Sequence, residues 1–169
     1  YGSDSIIPIN LATNTPGTPI PIGNGPWGIA ITPDGSKEYV NINRDNNVTP
    51  ITLATNTPGT PIPVGNSPRG IAITPDGSMA YVTNSDDNSV TPINLVTNTP
   101  GTPIPLWISP KRIAITPDGS MAYVTSTVSK IVIPIDLATN TPCTPIPVGS
   151  TPQWISITPD GATAYVCAY

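Results

Sequence analysis

Residues 70–105 read GIAITPDGSMAYVTNSDDNSVTPINLVTNTPGTPIP, and this stretch decides the fold. It consists of short runs rich in β-branched and aromatic residues, separated by clusters of Pro, Asp, Asn and Gly that are typical of turns. The runs at 70–74, 81–84 and 89–95 predict three strands, and TPIP at 102–105 predicts a fourth. The two prolines of this fourth strand, Pro103 and Pro105, remove N–H donors from one side of the strand. We therefore expect the fourth strand to form the outer edge of a sheet.

The same pattern recurs four times along the 169-residue chain with a constant step of 42 residues. The tyrosine of the second strand marks the copies, at Tyr39, Tyr81, Tyr123 and Tyr165. This period, with four strands per copy, is typical of a blade of a β-propeller. We therefore predict an all-β protein, a β-propeller of four 42-residue blades with four antiparallel strands each. The predicted blades cover approximately 27–64, 69–106, 112–148, and 154–169 together with 5–22.

The quoted stretch resembles the YVTN-type β-propeller repeat. The resemblance rests on YVTN at 81–84, with GIAITPDG before it and VTPINLVTNT after it, and it covers essentially the whole chain. The other three copies carry YVNI, YVTS and YVCA at the tetrad. Members of that family are mostly secreted or cell-surface proteins of bacteria and archaea, usually with about seven blades. The resemblance implies a propeller fold and an extracellular or cell-surface location.

The two ends of the chain carry complementary parts of one repeat. Third- and fourth-strand segments lie at 6–11 and 18–22, and first- and second-strand segments lie at 154–158 and 165–169. Pairing 165–169 beside 6–11 would complete the terminal blade and remove its open edges. Three arrangements remain open: one chain closes a four-bladed ring, two chains close an eight-bladed ring with two-fold symmetry, or the chain is a segment of a longer protein.

Composition excludes several classes of function. The chain has 6 Lys and Arg against 10 Asp and Glu, and its net charge of −4 argues against a nucleic-acid partner. Because it has no His, it can form neither a Ser-His-Asp triad nor a His-ligated zinc or haem site. No apolar run reaches the roughly 18 residues of a membrane-spanning helix. We expect no cofactor, no metal and no membrane insertion.

The copies differ mainly in the loops before their first strands, which we call the variable loops: GNGPWG (23–28), GNSPRG (65–70), WISPKR (107–112) and GSTPQW (149–154). These loops and those between second and third strands open on one face, which holds all three Trp and most of the cations. The candidate ligand-binding residues are Trp27, Arg69, Lys111, Arg112, Trp154, Trp107 and Arg44. We expect the residue after each loop proline (Trp27, Arg69, Lys111, Gln153) to ring the mouth of a central channel. The alternative is that the Trp side chains fill space between blades and the cations keep the face soluble.

The remaining conspicuous residues have structural interpretations. The Tyr residues of the second strands and the Ile-Ala-Ile positions of the first strands are predicted to be core. The aspartates of the PDG turns, such as Asp76, are predicted to stabilise those turns. Pro50, Pro92 and Pro134 lie in predicted central strands, where a missing N–H predicts a β-bulge. Cys143 and Cys167 are predicted to lie at different radii of adjacent blades, which disfavours a disulfide between them.

The leading functional hypothesis is a non-catalytic extracellular binding or scaffold module with a carbohydrate or peptide ligand on the variable loops. One alternative is a structural, self-assembling surface protein whose complementary ends join two copies. A further alternative is an enzyme, such as a lactonase-like or quinone-dependent propeller. Enzymes of that kind need clustered carboxylates or a cofactor cradle, whereas the inner strands supply Ile, Ala, Gly and Thr. No catalytic residue is assigned.

Overall fold

A computed structural model describes residues 4–169. Every regular element in this range is a β-strand, because short β-branched runs alternate with Pro, Gly and Asn turns throughout. In the described part of the chain, no helix has the length and apolar character needed to cross a membrane.

Short strands form two small sheets at the beginning of the described chain. The strands are β1 (Ser5–Ile6), β2 (Ile9–Asn10), β3 (Thr15–Pro16) and β4 (Ile20–Pro21). β1 pairs with β4 and β2 with β3, both antiparallel. These are the third- and fourth-strand positions of one repeat.

Three complete sheets follow, one for each of the next three repeats. The first contains β5 (Pro26–Ile31), β6 (Lys37–Ile42), β7 (Asn47–Thr52), β8 (Thr57–Pro58) and β9 (Ile62–Pro63). The second contains β10 (Pro68–Ile73), β11 (Met79–Asn84), β12 (Ser89–Asn94), β13 (Thr99–Pro100) and β14 (Ile104–Pro105). The third contains β15 (Ile113–Ile115), β16 (Met121–Ser126), β17 (Ile131–Asp136), β18 (Thr141–Pro142) and β19 (Ile146–Pro147). All pairings are antiparallel. Of the fourth strand predicted at 102–105, only Ile104–Pro105 forms a strand, and β13 lies in the segment between the predicted third and fourth strands. In each repeat these two short strands together take the place of a continuous fourth strand, and both pair with the third strand.

The PDG turns between first and second strands are closed by their own aspartates. In the second repeat, the Thr74 hydroxyl and the Ser78 backbone N–H both donate to Asp76 Oδ1, and Gly77 adopts a φ of 72°. Glycine accepts this left-handed conformation without steric cost. The same contacts recur in the other repeats, so this position serves the turn, as its residue types indicate.

The central prolines do not produce the predicted bulge in the third strand. Tyr39 pairs with Pro50 in an unbroken register between β6 and β7. The extra residue lies instead in the fourth strand, because Ile51 pairs with Pro58 whereas Val48 pairs with Ile62. The carbonyl of Pro50 accepts from Gly59 N–H at 2.7 Å, and the N–H and C=O of one residue point to the same side of an antiparallel strand. The missing N–H of Pro50 therefore faces the interruption at 59–61.

The outer edge has the predicted pairing in every repeat. Ile20, Ile62, Ile104 and Ile146 pair with Ile6, Val48, Val90 and Val132 of the third strands. Pro61 and Pro63, which flank buried Ile62, are exposed. The proline-flanked strand is therefore the last strand of its sheet, as the sequence predicts.

The core consists of apolar layers between successive sheets. Because side chains alternate across a strand, Tyr39 packs toward the second sheet with Val82, whereas its neighbour Val40 packs toward the N-terminal strands with Ile20. Tyr81 contributes in the same way to the next layer, with Val124. Tyr39 and Tyr81 are thus core, as predicted, and the two sheets that carry them are buried on both faces. The prediction does not hold for the last two repeats, where Tyr123 is only partly buried and Tyr165 is exposed, because no complete sheet packs over them.

The two ends of the array are not joined in this structure. The last sheet has only β20 (Ile155–Ile157) and β21 (Ala164–Val166), which pair with each other. Within residues 4–169, no pairing connects β21 to β1 or β2, so the expected pairing of 165–169 beside 6–11 is not formed within the chain. Each sheet packs against the next one, and each such contact sets the rotation and translation between two neighbouring sheets. Added over the array, these displacements leave the last sheet unpaired with the N-terminal strands.

Candidate functional site

Carboxylates of the neighbouring loops hold the first two variable loops in place. The backbone N–H of Asn24 donates to Asp45 Oδ2 at 2.8 Å, and its side-chain amide donates to Asp45 Oδ1 at 3.0 Å. Asn66 makes the same two contacts with Asp87 in the next repeat. Hydrogen bonds from Asn24 hold the pKa of Asp45 below its usual value. These aspartates are therefore part of the loop framework.

Each variable loop ends in a β-bulge at the start of the inner strand. Between Pro26 and Ile29 the register with β6 shifts, so that residues 27 and 28 oppose Asn41 alone. In the third repeat, the N–H of Lys111 and the carbonyl of Arg112 both bond to the backbone of Thr125. Bulges commonly re-aim a side chain, and here they turn the loop residues toward the space between the inner strands.

Four of the candidate residues meet in one cavity of about 300 Å³, which we call the Trp–Arg pocket. They are Trp27, Arg69, Arg112 and Trp154, one from each variable loop. The two indoles are about half exposed, at 52% for Trp27 and 57% for Trp154.

Both guanidinium groups of the Trp–Arg pocket contact its indole rings. The Cζ atom of Arg112 lies 4.1 Å from the ring centre of Trp154 and 6.0 Å from that of Trp27. Arg69 Cζ lies 5.1 Å from the ring centre of Trp27. These are cation–π distances, so each arginine is held by aromatic contact.

The other three candidates do not line the Trp–Arg pocket. Trp107 is 80% exposed in its loop, and Arg44 lies against Gly25 at the base of the first variable loop. Lys111, expected at the channel mouth, lies beside the pocket outside its lining. The position after the loop proline therefore does not predict the pocket residue in the last two repeats, where Arg112 and Trp154, one residue later, take that place.

Backbone crowding explains this shift. A Cβ on Gly28 would lie 2.3 Å from the carbonyl oxygen of Arg69, and a Cβ on Gly70 would lie 2.9 Å from that of Lys111. The second bulge residue must therefore be glycine in the first two repeats, and the first residue supplies the side chain. Arg112 and Trp154 carry side chains at the second position, and those side chains enter the pocket.

Isoleucines of the inner strands also line the pocket, which the sequence interpretation missed. They are Ile29, Ile71, Ile113 and Ile155. The sequence predicts these positions to be core, yet Ile29 is 53% exposed. The signal was available, because Trp27, Ile29 and Ile31 alternate along one face of β5. The pocket thus has an aromatic and cationic rim with an aliphatic layer along the same strands.

The electrostatics of this region are dominated by positive charge. Burial, together with nearby Arg69, lowers the pKa of Arg112. Burial and Arg69 also lower the pKa of Lys111, against a smaller opposing effect of Asp86. Three cations therefore lie close together in a chain whose net charge is −4.

Hydroxyl groups connect successive inner strands behind the pocket. Thr83 Oγ1 accepts from Gly70 N–H at 2.7 Å and donates to the carbonyl of Lys111 at 3.1 Å. Thr125 makes the equivalent pair of bonds with Arg112 and Gln153. The first repeat has Asn41 at this position, fully buried, and its amide oxygen and nitrogen have no hydrogen-bond partner in residues 4–169.

Other chemistry-bearing groups are engaged in the fold or stand alone. The Tyr39 hydroxyl donates to Asn98 Oδ1 at 2.8 Å, and the Tyr81 hydroxyl donates to Asn140 Oδ1 at 3.1 Å, each in the next repeat. Cys143 and Cys167 are exposed and unpaired. Over the described residues, no three side chains of His, Cys, Asp or Glu are grouped so that they could hold a metal ion.

Comparison with known proteins identifies a propeller-type structural neighbour. No protein-family model matches the chain, and no curated protein matches it in sequence. Among solved structures, hydrazine synthase of Kuenenia stuttgartiensis is similar, with a TM-score of 0.82 and 27% sequence identity. The match covers 85% of this chain and 42% of that chain, so this chain spans less than half the length of its neighbour. With the all-β sheets described above, this supports a β-propeller-type fold.

Proposed function

We propose that the chain is a non-catalytic extracellular binding or scaffold module that takes its ligand at the Trp–Arg pocket. The observation that carries this proposal is the convergence of Trp27, Arg69, Arg112 and Trp154 from four separate variable loops. Aromatic rings and fixed polar groups around a concavity are the usual components of a carbohydrate or peptide site. The extracellular location is supported by the resemblance to YVTN-type repeats.

The residue types around the pocket support binding without catalysis. Its lining consists of Trp, Arg, Ile and Gly, and none of these side chains is a customary nucleophile or general base near neutral pH. The nearby Asp45 and Asp87 already accept hydrogen bonds from loop amides. Tyr39 and Tyr81 are committed to contacts between repeats.

Ligand binding should depend on the two pocket tryptophans. Trp27→Ala or Trp154→Ala should weaken binding about ten-fold or more, because each removes a large contact surface and frees an arginine it restrains. Trp107→Ala is the matched control, since Trp107 lies outside the pocket lining and should leave binding unchanged. A glycan and peptide array, followed by titration of its hits, measures this. The proposal fails if nothing binds the wild type or if all three variants bind equally.

Self-assembly is a second candidate, favoured by the end sheets. Tyr165 is 69% exposed although the equivalent Tyr39 is fully buried, and Ile9 is 61% exposed although the equivalent Ile51 is 1% exposed. We propose that two copies associate through their end sheets, so that β20 and β21 of one copy join β1–β4 of the other. Each such junction would complete a four-stranded blade, and the two copies would form a ring of YVTN type. Light scattering at two concentrations should then give the mass of two chains at the higher concentration.

A further inference from the structure

Among the residues that the structure describes, the lining of the Trp–Arg pocket contains two guanidinium groups and no carboxylate. The aspartates on the same face bond to loop residues instead: Asp45 to Asn24, Asp87 to Asn66 and Asp86 to Ser67. Arg69 and Arg112 line the same cavity and both approach the Trp27 ring, at 5.1 and 6.0 Å, and Arg69 is near enough to add to the effect of burial in lowering the pKa of Arg112. Placing like charges together costs free energy, and a bound anion would offset that cost.

One N–H donor of Arg69 has no acceptor within the described part of the protein. Its Nε is buried and has no partner among the described residues, although buried donors are normally paired. A guanidinium offers parallel N–H groups that match the two oxygens of a carboxylate. An oxyanion is therefore the ligand group that this side chain is suited to bind.

The tryptophans hold the arginines through their ring faces. The contacts of Arg112 with Trp154 at 4.1 Å and of Arg69 with Trp27 at 5.1 Å restrain the cations without using their N–H donors. Restraining a flexible side chain before binding reduces the entropy lost on binding. The rings thus prepare the guanidinium groups for an anion, in addition to any contact they make with a ligand.

The rest of the pocket is aliphatic and small. Four isoleucines line it, and its volume of about 300 Å³ is near the lower end for ligand pockets, about 300–1,000 Å³. A hydroxyl-rich sugar ring would place polar groups against Ile29, Ile71 and Ile155 without partners, which is unfavourable. A compact apolar group fits this surface.

We infer that the Trp–Arg pocket binds a carboxylate attached to a compact apolar group, with the carboxylate between Arg69 and Arg112 and the apolar group against the isoleucines. The inference rests on the proposed binding function, but it disfavours a carbohydrate as the ligand and defines the ligand by its carboxylate and its apolar group. The same chemistry has two sources, a small branched organic acid and the C-terminus of a peptide that ends in an aliphatic residue.

Acid and amide pairs test this inference on the full chain. The probes are 4-methylpentanoate against 4-methylpentanamide, and N-acetylated Gly-Gly-Ile with a free against an amidated C-terminus, titrated by tryptophan fluorescence. Each acid should bind about ten-fold or more tightly than its amide, because only the acid offers charge-assisted hydrogen bonds to the arginines. Tighter binding of the free-acid peptide than of 4-methylpentanoate identifies a peptide C-terminus as the source, and the reverse order identifies a small acid.

Charge variants assign the effect to the pocket. Arg69→Gln and Arg112→Gln should each reduce acid affinity about ten-fold or more, whereas Arg69→Lys and Arg112→Lys keep the charge and should retain part of it. Lys130→Gln removes an exposed cation from the same face outside the pocket lining and should change nothing. Circular dichroism establishes that each variant is folded.

The outcomes separate this inference from the proposed function. Equal affinity for acids and amides, or equal loss in Lys130→Gln and Arg112→Gln, overturns the carboxylate site. If neutral ligands bind and Trp154→Ala weakens them while acids show no preference, the binding function stands and the carboxylate inference fails. If neither the probes nor the arrays give any ligand, both fail.

Discussion

The first repeat has Asn41 at the position where the next two repeats have Thr83 and Thr125, and this difference lowers the stability of the fold. The Asn41 amide is fully buried and has no hydrogen-bond partner among residues 4–169, whereas Thr83 and Thr125 each connect two inner strands. A buried polar group without a partner is unfavourable by about 1–3 kcal/mol. The first two inner strands therefore lack a connection that the later ones have.

Replacing Asn41 by threonine should stabilise the protein. A threonine there can accept from Gly28 N–H and donate to the carbonyl of Arg69, as Thr83 does with Gly70 and Lys111. We expect Asn41→Thr to raise the free energy of unfolding by about 1–2 kcal/mol. The converse change, Thr83→Asn, should lower it by a similar amount, and denaturant unfolding measures both. Unfolding midpoints that move in the same direction for the two variants would contradict this account.

The aspartates of the PDG turns should make stability depend on acid pH. Hydrogen bonds from the Thr hydroxyl and from the Ser two residues on hold the pKa of Asp34, Asp76 and Asp118 at about 2, against an ordinary value of 3.8. A lowered pKa means that their contribution is present above the unfolded value and is lost as pH falls from about 4 toward 2. Melting temperature should therefore fall through that window.

The matched control for this acid transition is the triple variant Asp34→Asn, Asp76→Asn and Asp118→Asn. The amide keeps an acceptor for the turn but does not titrate, so the melting temperature of the variant should depend less on pH between about 4 and 2. An undiminished slope would assign the transition to other groups.

The proline-flanked outer strands protect the sheet edges. Ile62 is buried and pairs with Val48, and the prolines on either side cannot donate to an approaching strand. Replacing Pro61 and Pro63 by threonine should restore two edge donors and increase the aggregation rate. Turbidity over time measures this, with a Thr60→Ser variant as the control because it adds no N–H. Unchanged aggregation in a folded double variant would refute the protective role.

The end sheets determine how the whole molecule associates. Tyr165 occupies the position at which Tyr39 and Tyr81 are buried between sheets, yet it remains exposed. If these faces associate, Tyr165→Asp should give the mass of one chain at concentrations where the wild type gives that of two, because a charge would be buried at the contact. Val96, 81% exposed in a turn, is the control, and Val96→Asp should not alter the mass. The measurement is light scattering of both variants beside the wild type.

Local patterns in the sequence determined most of the fold. The strands, the PDG turns and the pairing of Ile62 with Val48 depend on β-branched runs, prolines and glycines at fixed spacing, and a 42-residue period shows that they recur. The sequence also indicated the face that carries the candidate site, because the variable loops differ while the turns of the other face stay uniform. Those features depend on residues near one another in the chain.

The tertiary structure alone decided which residues meet. Whether Lys111 or Arg112 enters the pocket depends on how closely the next inner strand approaches each bulge, and the residue types do not encode that distance. The bulge expected at Pro50 in β7 lies instead between β8 and β9, the short strands that pair with β7. Which side of a strand pair holds the extra residue depends on the pairing of both strands, and the sequence of one strand does not show it. The separation of β21 from β1 has a similar cause. It reflects the summed geometry of several packed layers, which no single repeat contains.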